Sequence, residues 1–305
     1  MKDRISTFIL EWLRRRAPTV ENDKYAIKNP LVKLKKRGVI KLSDGYEVNF
    51  NRENKTDIFK VVEFALITGI KFGNGNYQWK LDQERGILET HQGIKFNISA
   101  FGFLEETFLT QIHFAGFDLK GKTVVTAGAY IGDTPLFYSY YGAKVFAFEP
   151  DPNSFERAEE NILLNPDLEK NIVLRNYAIG EDGEVRFPIG SDSGGSSLYK
   201  INSKKTVKVK SVSISTILDE FNIIEPYLLD LDIKGAEFMA VLDKSIANFR
   251  KVRIEYSPYL LNQSNKTLEV LIQKLNNFGF DKIRIFKHND RRFDLTHHGT
   301  LEAEK

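Results

Sequence analysis

The stretch VVTAGAYIGDTPLFYSYYGAKVFAFEPDP, Val124 to Pro152, decides the fold. It opens on a short apolar run, Val124–Thr126, and passes through a loop with glycines at 128 and 132. A helical stretch follows, then a second apolar run, Val145–Phe148, which ends in Glu149. Strand, glycine loop, helix, strand, acid is the opening half of a nucleotide-binding α/β unit. Gly128 can turn tightly and bring backbone close to a ligand. Asp133 or Thr134 can cap the helix, with Pro135 near its first turn. Glu149 stands 21 residues after Gly128, where a carboxylate accepts hydrogen bonds from both hydroxyls of a ribose.

Two cofactors fit this outline. A dinucleotide loop wants G-x-G-x-x-G, but aligned on Gly128 the second glycine is Tyr130 and the third is Asp133. Tyr130 would stand where a pyrophosphate needs bare backbone. S-adenosylmethionine carries no phosphate and tolerates a bulkier loop, so it is the better fit.

Working outward, apolar runs recur at Ile172–Arg175, Tyr227–Leu231, Val252–Glu255 and Ile283–Phe286, with helical stretches between. Alternating strands and helices predict a doubly wound, mostly parallel sheet, with ligands at the carboxyl ends of its strands. LEETFLTQIHFAGF reads as the helix leading in, which sets an α/β domain over residues 104–305. Residues 1–103 read as a smaller α+β region. It holds a hairpin turning at Asp44-Gly45, a helix ending near Gly69, and strands turning near Gly86 and Gly93.

Residues 1–60 carry 15 Lys/Arg against 8 Asp/Glu, so the chain's net charge of +3 is concentrated at its front end. Such a basic end suits anionic partners, or is simply a solvated surface. Ile5, Phe8, Ile9, Trp12 and Leu13 repeat at helical spacing beside Arg14, Arg15 and Arg16. That predicts an amphipathic helix near residues 4–16, which packs on its own protein or touches a membrane surface. No apolar run is long enough to span a bilayer, and no leader of secretory type opens the sequence. Cysteine is absent, which excludes disulfides, zinc thiolates and thiol nucleophiles. A cytoplasmic setting is the expectation.

GAYIGDTPLFYSYYGAKVFAFEPDPNSFERAEENILLN resembles the FkbM family of S-adenosylmethionine-dependent methyltransferases. The resemblance rests on the G-A-x-I-G-D-T loop, the G-A-K-V-x-A-F-E-P-x-P strand, and Asn161 and Asn165 as its N-x-x-x-N. Downstream, NYAIGEDGEVRF (176–187), GGSSL (194–198), LDLDIKGAE (229–237) and RIEYSP (253–258) are similar to further family segments in the right order. It implies a class I, Rossmann-like methyltransferase fold with a C-terminal antiparallel hairpin, using S-adenosylmethionine. Four positions depart from the family pattern. Its usual Asp after the first strand is Thr126, and its usual loop Asn is Tyr130. In the fourth-strand motif its usual Lys and Glu are Asp230 and Lys234. Thr126 can hydrogen-bond, but brings no charge to the methionine ammonium.

Methyl transfer to a hydroxyl needs a positioned acceptor and a base for its proton. Asp232, closing the fourth strand, is the first catalytic candidate, with helix capping or pairing to Lys234 as its plainer role. Glu255, closing the fifth, either lines the acceptor pocket or makes a structural pair. Glu237 reads as a helix-start acid. The expected cofactor-binding set is Thr126, Gly128, Ala129, Tyr130, Gly132, Thr134, Glu149, Pro150, Asn176, Ala178 and Asp232. Asn176 either bonds the adenine edge or makes a turn. No metal is expected, because His297 and His298 would point to opposite faces of a strand. His288 or that pair remains a candidate for a late general base. DSGGSSLY is a lid, an acceptor loop or a surface turn. The expected acceptor is a sugar, glycan or other small hydroxylated molecule, and self-association stays open. Three competitors remain: a nucleic-acid methyltransferase, not favoured because no N/D-P-P-Y/F-type motif is present; a binding protein with a worn methyltransferase fold, suggested by the four departures; and a nicotinamide oxidoreductase, which Tyr130 disfavours. No G-x-S-x-G elbow is present, which argues against hydrolase chemistry.

Overall fold

The computed structural model of the chain describes residues 36–102, 104–111, 118–189, 205–258, 261, 266–287 and 296–305. The basic helix expected near residues 4–16, His288, and all of the DSGGSSLY loop lie outside them. The chain divides into two compact units, Met1–Phe108 and Leu109–Lys305. Among the described residues no helix is long and apolar enough to cross a membrane.

In the first unit, strands β1 (Gly38–Lys41) and β2 (Glu47–Phe50) form the antiparallel hairpin. Its turn is built by Gly45 at φ 86° and by the Tyr46 amide donating to Asp44 Oδ1 at 3.0 Å. Helix α1 (Lys55–Thr68) stops at Gly69, whose left-handed backbone lets its N–H donate to the Ala65 carbonyl. Strands β3 (Lys80–Asp82), β4 (Ile87–Glu89) and β5 (Lys95–Asn97) form an antiparallel sheet, followed by the short helix α2 (Leu104–Phe108). The lead-in helix is thus shorter than its apolar pattern suggested over the described part. Trp79, Leu88, Phe96 and Phe108 are fully buried in this unit.

The second unit runs β6 (Thr123–Ala127), α3 (Asp133–Tyr140), β7 (Lys144–Phe148), α4 (Pro152–Leu163), α5 (Pro166–Glu169) and β8 (Ile172–Arg175). Then come β9 (Tyr177–Ile179), β10 (Gly183–Pro188), β11 (Thr206–Val212), α6 (Ile214–Glu220), β12 (Pro226–Leu231) and α7 (Glu237–Ala240). The chain closes with β13 (Lys251–Tyr256), α8 (Leu268–Asn277), β14 (Lys282–Phe286) and β15 (Gly299–Glu304). The main sheet has seven strands in the order β14-β15-β13-β12-β6-β7-β8. All neighbours are parallel except β15, which lies antiparallel between β13 and β14. Strands β6 and β7 are buried on both faces, which explains why they read as near-continuous apolar runs. Helix α3 is buried almost all round, so it shows no clean polar face. Helix α4 has an ordinary start: Asp151 accepts from the Asn153 amide, and Pro152 follows at the first helical position.

The sequence reading missed one feature. Strands β10, β11 and β9 form a separate three-stranded sheet between β8 and α6. The alternation in TVKVKSV of β11 carried the signal, since its valines and lysines take alternate faces.

From β6 the main sheet grows one way through β7 and β8, and the other way through β12 and β13. The strand order therefore reverses between β6 and β12, and the carboxyl ends of those strands flank the crevice where such sheets bind ligands.

Candidate functional site

The two strand ends at the reversal touch. The Asp232 amide donates to the Ala127 carbonyl at 3.0 Å. Gly128 has φ 90°, and a Cβ there would fall 2.1 Å from the Asp232 carbonyl oxygen. Only glycine lets the β6 loop pass this close. The Gly128 and Ala129 amides donate to the Phe148 carbonyl, drawing the loop over the end of β7.

Glu149 sits at the end of β7, 6% exposed. Its Oε2 accepts from the Tyr130 amide at 2.8 Å and its Oε1 from the Asp151 amide at 2.9 Å. Tyr130 has φ 48°, a left-handed conformation rare for a side chain this large. That turn aims its amide at the acid. Asn176 donates through Nδ2 to the Glu149 carbonyl at 2.7 Å and the Pro150 carbonyl at 3.1 Å. Of the two roles the sequence left open for Asn176, its amide nitrogen takes the turn. Ala178 lies inside β9, paired with Ser211 and 2% exposed.

The loop is also held from below. Asn161 Nδ2 donates to the Ile131 carbonyl at 2.9 Å, and Asn165 Nδ2 to the Asn161 carbonyl at 2.8 Å. This is the physical content of the N-x-x-x-N spacing: one helical turn apart, the two amides relay from α4 to the glycine loop. The expected side-chain cap of α3 is corrected. Its N-cap is Gly132 at φ 85°, with no side-chain hydrogen bond, and Asp133 and Thr134 lie buried within the first turn. A Cβ at Gly132 would meet the Ala158 backbone at 3.1 Å, so close packing on α4 takes precedence over a capping side chain.

Thr126 faces a different partner from the one its position suggested. It is 1% exposed, and its hydroxyl donates to Asp230 Oδ2 at 3.1 Å across the β6–β12 pairing. Tyr138 donates to the same oxygen at 2.8 Å, and Arg253 Nη1 donates to Asp230 Oδ1 at 2.6 Å. Burial pulls the guanidinium down, but Asp230 outweighs it and raises it above the ordinary arginine value. Thr126 and Asp230, two departures from the family pattern, are therefore cross-strand partners in one buried network.

The catalytic candidates meet at the ends of β12 and β13. Lys234 Nζ lies 2.6 Å from Asp232 Oδ1 and 2.6 Å from Glu255 Oε1. His298 Nδ1 is 3.2 Å from the Tyr256 carbonyl, and its Nε2 is 4.0 Å from Glu255 Oε1. A carbonyl only accepts, so Nδ1 carries the proton. His297 turns the other way, to the Thr296 hydroxyl. Glu237 is fully buried at the start of α7, where its Oε1 accepts from the Ser257 amide at 2.9 Å. Lys234 entered the sequence reading as a departure and as a pairing partner for Asp232, and Ser257 did not enter as a site residue; the contact through Glu237 that brings Ser257 in spans 20 residues and leaves no local signal.

Burial raises Glu149 to about 8, and burial raises Glu237 to about 8. Their unfolded values lie near 4.5, so the folded state holds these protons more tightly. The contribution to stability is present below pH 4.5 and is lost as pH rises through about 8. The ligand-free protein is expected to lose roughly 5–10 °C of melting temperature between pH 5 and pH 9 by calorimetry. Glu149→Gln should flatten that slope; an equal slope in both proteins would remove Glu149 as its source.

Seven strands in this order, with one antiparallel strand inserted next to last and a glycine loop facing an acid at the reversal, define the class I methyltransferase fold. A family model described as the methyltransferase FkbM domain matches residues 127–282, half of the chain, and the chain belongs to that family. Its sequence is similar to the hexuronic acid methyltransferase AglP of Haloferax volcanii, 28% identical over 98 residues. That match covers 31% of this chain and 38% of the relative, so the chain spans well under half the length of that relative. Among solved structures, a precorrin-6y C5,15-methyltransferase from Geobacter metallireducens aligns over 61% of this chain and 82% of its own, at 10% identity and a TM-score of 0.35. A human methyltransferase 10 domain containing protein aligns over 61% and 72%, at 15% identity and a TM-score of 0.37.

Proposed function

We propose that this chain moves a methyl group from S-adenosylmethionine to a hydroxyl of a sugar, glycan or other small metabolite. The observation that carries the reading is Glu149. A buried carboxylate at the end of β7 faces the glycine loop that follows β6, beside the reversal, with both oxygens fixed by backbone amides. Each oxygen keeps a lone pair for a ribose hydroxyl. The residues fit an adenosyl group: Gly128 leaves the loop bare of a Cβ, and Tyr130 occupies the position a pyrophosphate would need bare. When bound, the cofactor supplies an electrophilic methyl on a sulfonium. The chain's own part is to hold the acceptor oxygen in line and take its proton. Asp232 and Glu255, at the carboxyl ends of adjacent strands, are the groups placed for that.

The sugar class is supported by the Haloferax relative, a hexuronic acid methyltransferase. The worn-fold alternative is weakened because three of the four departures have partners in the fold. Thr126 and Asp230 join one network, and Lys234 fills the gap between Asp232 and Glu255.

The test is calorimetric titration with S-adenosylmethionine, S-adenosylhomocysteine and NAD. Micromolar binding of both adenosyl ligands and none of NAD is expected. Binding of NAD alone, or of none of the three, would overturn the reading.

A further inference from the structure

We propose that Lys234 is a tethered cation that holds the acceptor end of the site in the place a divalent metal would take, an inference that rests on the methyl-transfer reading above. Its ammonium bridges two carboxylates from different strand ends, 2.6 Å from Asp232 Oδ1 and 2.6 Å from Glu255 Oε1. The three side chains are 20%, 23% and 6% exposed, so the bridge is largely screened from water.

The backbone is bent to make this bridge. Lys234 has φ 46° and Gly235 has φ 103°, two left-handed residues in succession just after β12. A lysine in that region is uncommon and costs free energy unless the surroundings impose it. Here the turn returns the side chain between the two acids.

The chemistry of the donor set matches a hard cation. Two carboxylate oxygens converge on one point at a distance close to the roughly 2.0–2.6 Å at which magnesium, manganese or calcium meets oxygen. With lysine present, no group of three or more His, Cys, Asp or Glu is arranged to hold a metal among the described residues. The lysine brings the positive charge on the chain itself.

Its effect is felt through its partners. Burial and the neighbouring Glu255 push Asp232 up, and Lys234 opposes that. Burial pulls the Lys234 ammonium down, but the two carboxylates outweigh it and hold it well above the ordinary lysine value. Lys234 thus opposes the protonation of Asp232, which keeps an acceptor for the hydroxyl proton. It is a positioning residue, not one that touches the reacting atoms.

The test titrates Mn2+ alone into the full chain, as wild type, Lys234→Glu and Lys234→Ala. Wild type should show no saturable binding. Lys234→Glu should bind at least about tenfold more tightly than wild type, because affinity follows the number of carboxylate ligands, with Lys234→Ala between them. Both variants should still bind S-adenosylhomocysteine, so failure of the methyltransferase reading would appear separately, as wild type binding no adenosyl ligand. Wild type binding Mn2+ as tightly as Lys234→Glu would overturn the inference. So would variants that gain no affinity. Loss of a cooperative melt in both variants would make Lys234 a fold element and overturn it equally; if one melts normally, that one decides.

Discussion

Glu149→Ala is expected to weaken binding of S-adenosylmethionine and S-adenosylhomocysteine by about 100-fold or more in calorimetric titration. The titration is made above pH 8, where the buried acid is ionised, because hydrogen bonds to a charged acceptor contribute roughly 1.5–3 kcal/mol each and a ribose offers two hydroxyls. The variant also strips acceptors from the Tyr130 and Asp151 amides, so the loop loses part of what shapes it. Glu149→Gln keeps one carbonyl oxygen but sets an N–H2 against the second amide, and should fall between wild type and the alanine variant. Circular dichroism separates lost binding from lost fold. Undiminished affinity in a folded Glu149→Ala protein would move the ribose contact to another residue and leave the acid with the loop alone.

Arg253→Met is expected to produce the largest loss of stability, about 3–5 kcal/mol, with the melting temperature falling by roughly 10 °C or more. Arg253 and Asp230 are 0% and 1% exposed and joined at 2.6 Å. Removing the guanidinium strands a carboxylate in the middle of the sheet, where it must take up a proton or draw in water. Adding Asp230→Asn to Arg253→Met removes the stranded charge and should recover more than half of the loss. A single variant that melts within about 2 °C of wild type would show the pair to be energetically neutral.

The main sheet was legible because its inner strands are buried on both faces and its apolar runs are bounded by turns. The six apolar runs read from the sequence agree with β6, β7, β8, β12, β13 and β14 to within a residue at each end. Strand β15 was implied by the family hairpin rather than by its own residues, since GTLEAE alternates too weakly to stand alone. The glycine loop and Glu149 were legible for the same reason, a fixed offset between short local features. What could not be read were contacts across the sheet. Nothing local says that Thr126 faces Asp230, 104 residues later, or that Lys234 reaches Glu255, 21 residues on. Asn176 and Ala178 show the limit from the other side. Their positions after the third strand suggested adenine, but Asn176 gives its amide nitrogen to the acidic turn and Ala178 is enclosed by a second sheet.

The register that sets Thr126 beside Asp230 bears on how such a chain changes over generations. Replacing Asp230 or Arg253 alone leaves an unmatched ion in a dry interior. Intermediates of that kind fold poorly and are purged. Positions 126, 230 and 253 should therefore be swapped as a block when this domain is grafted or recombined with its relatives.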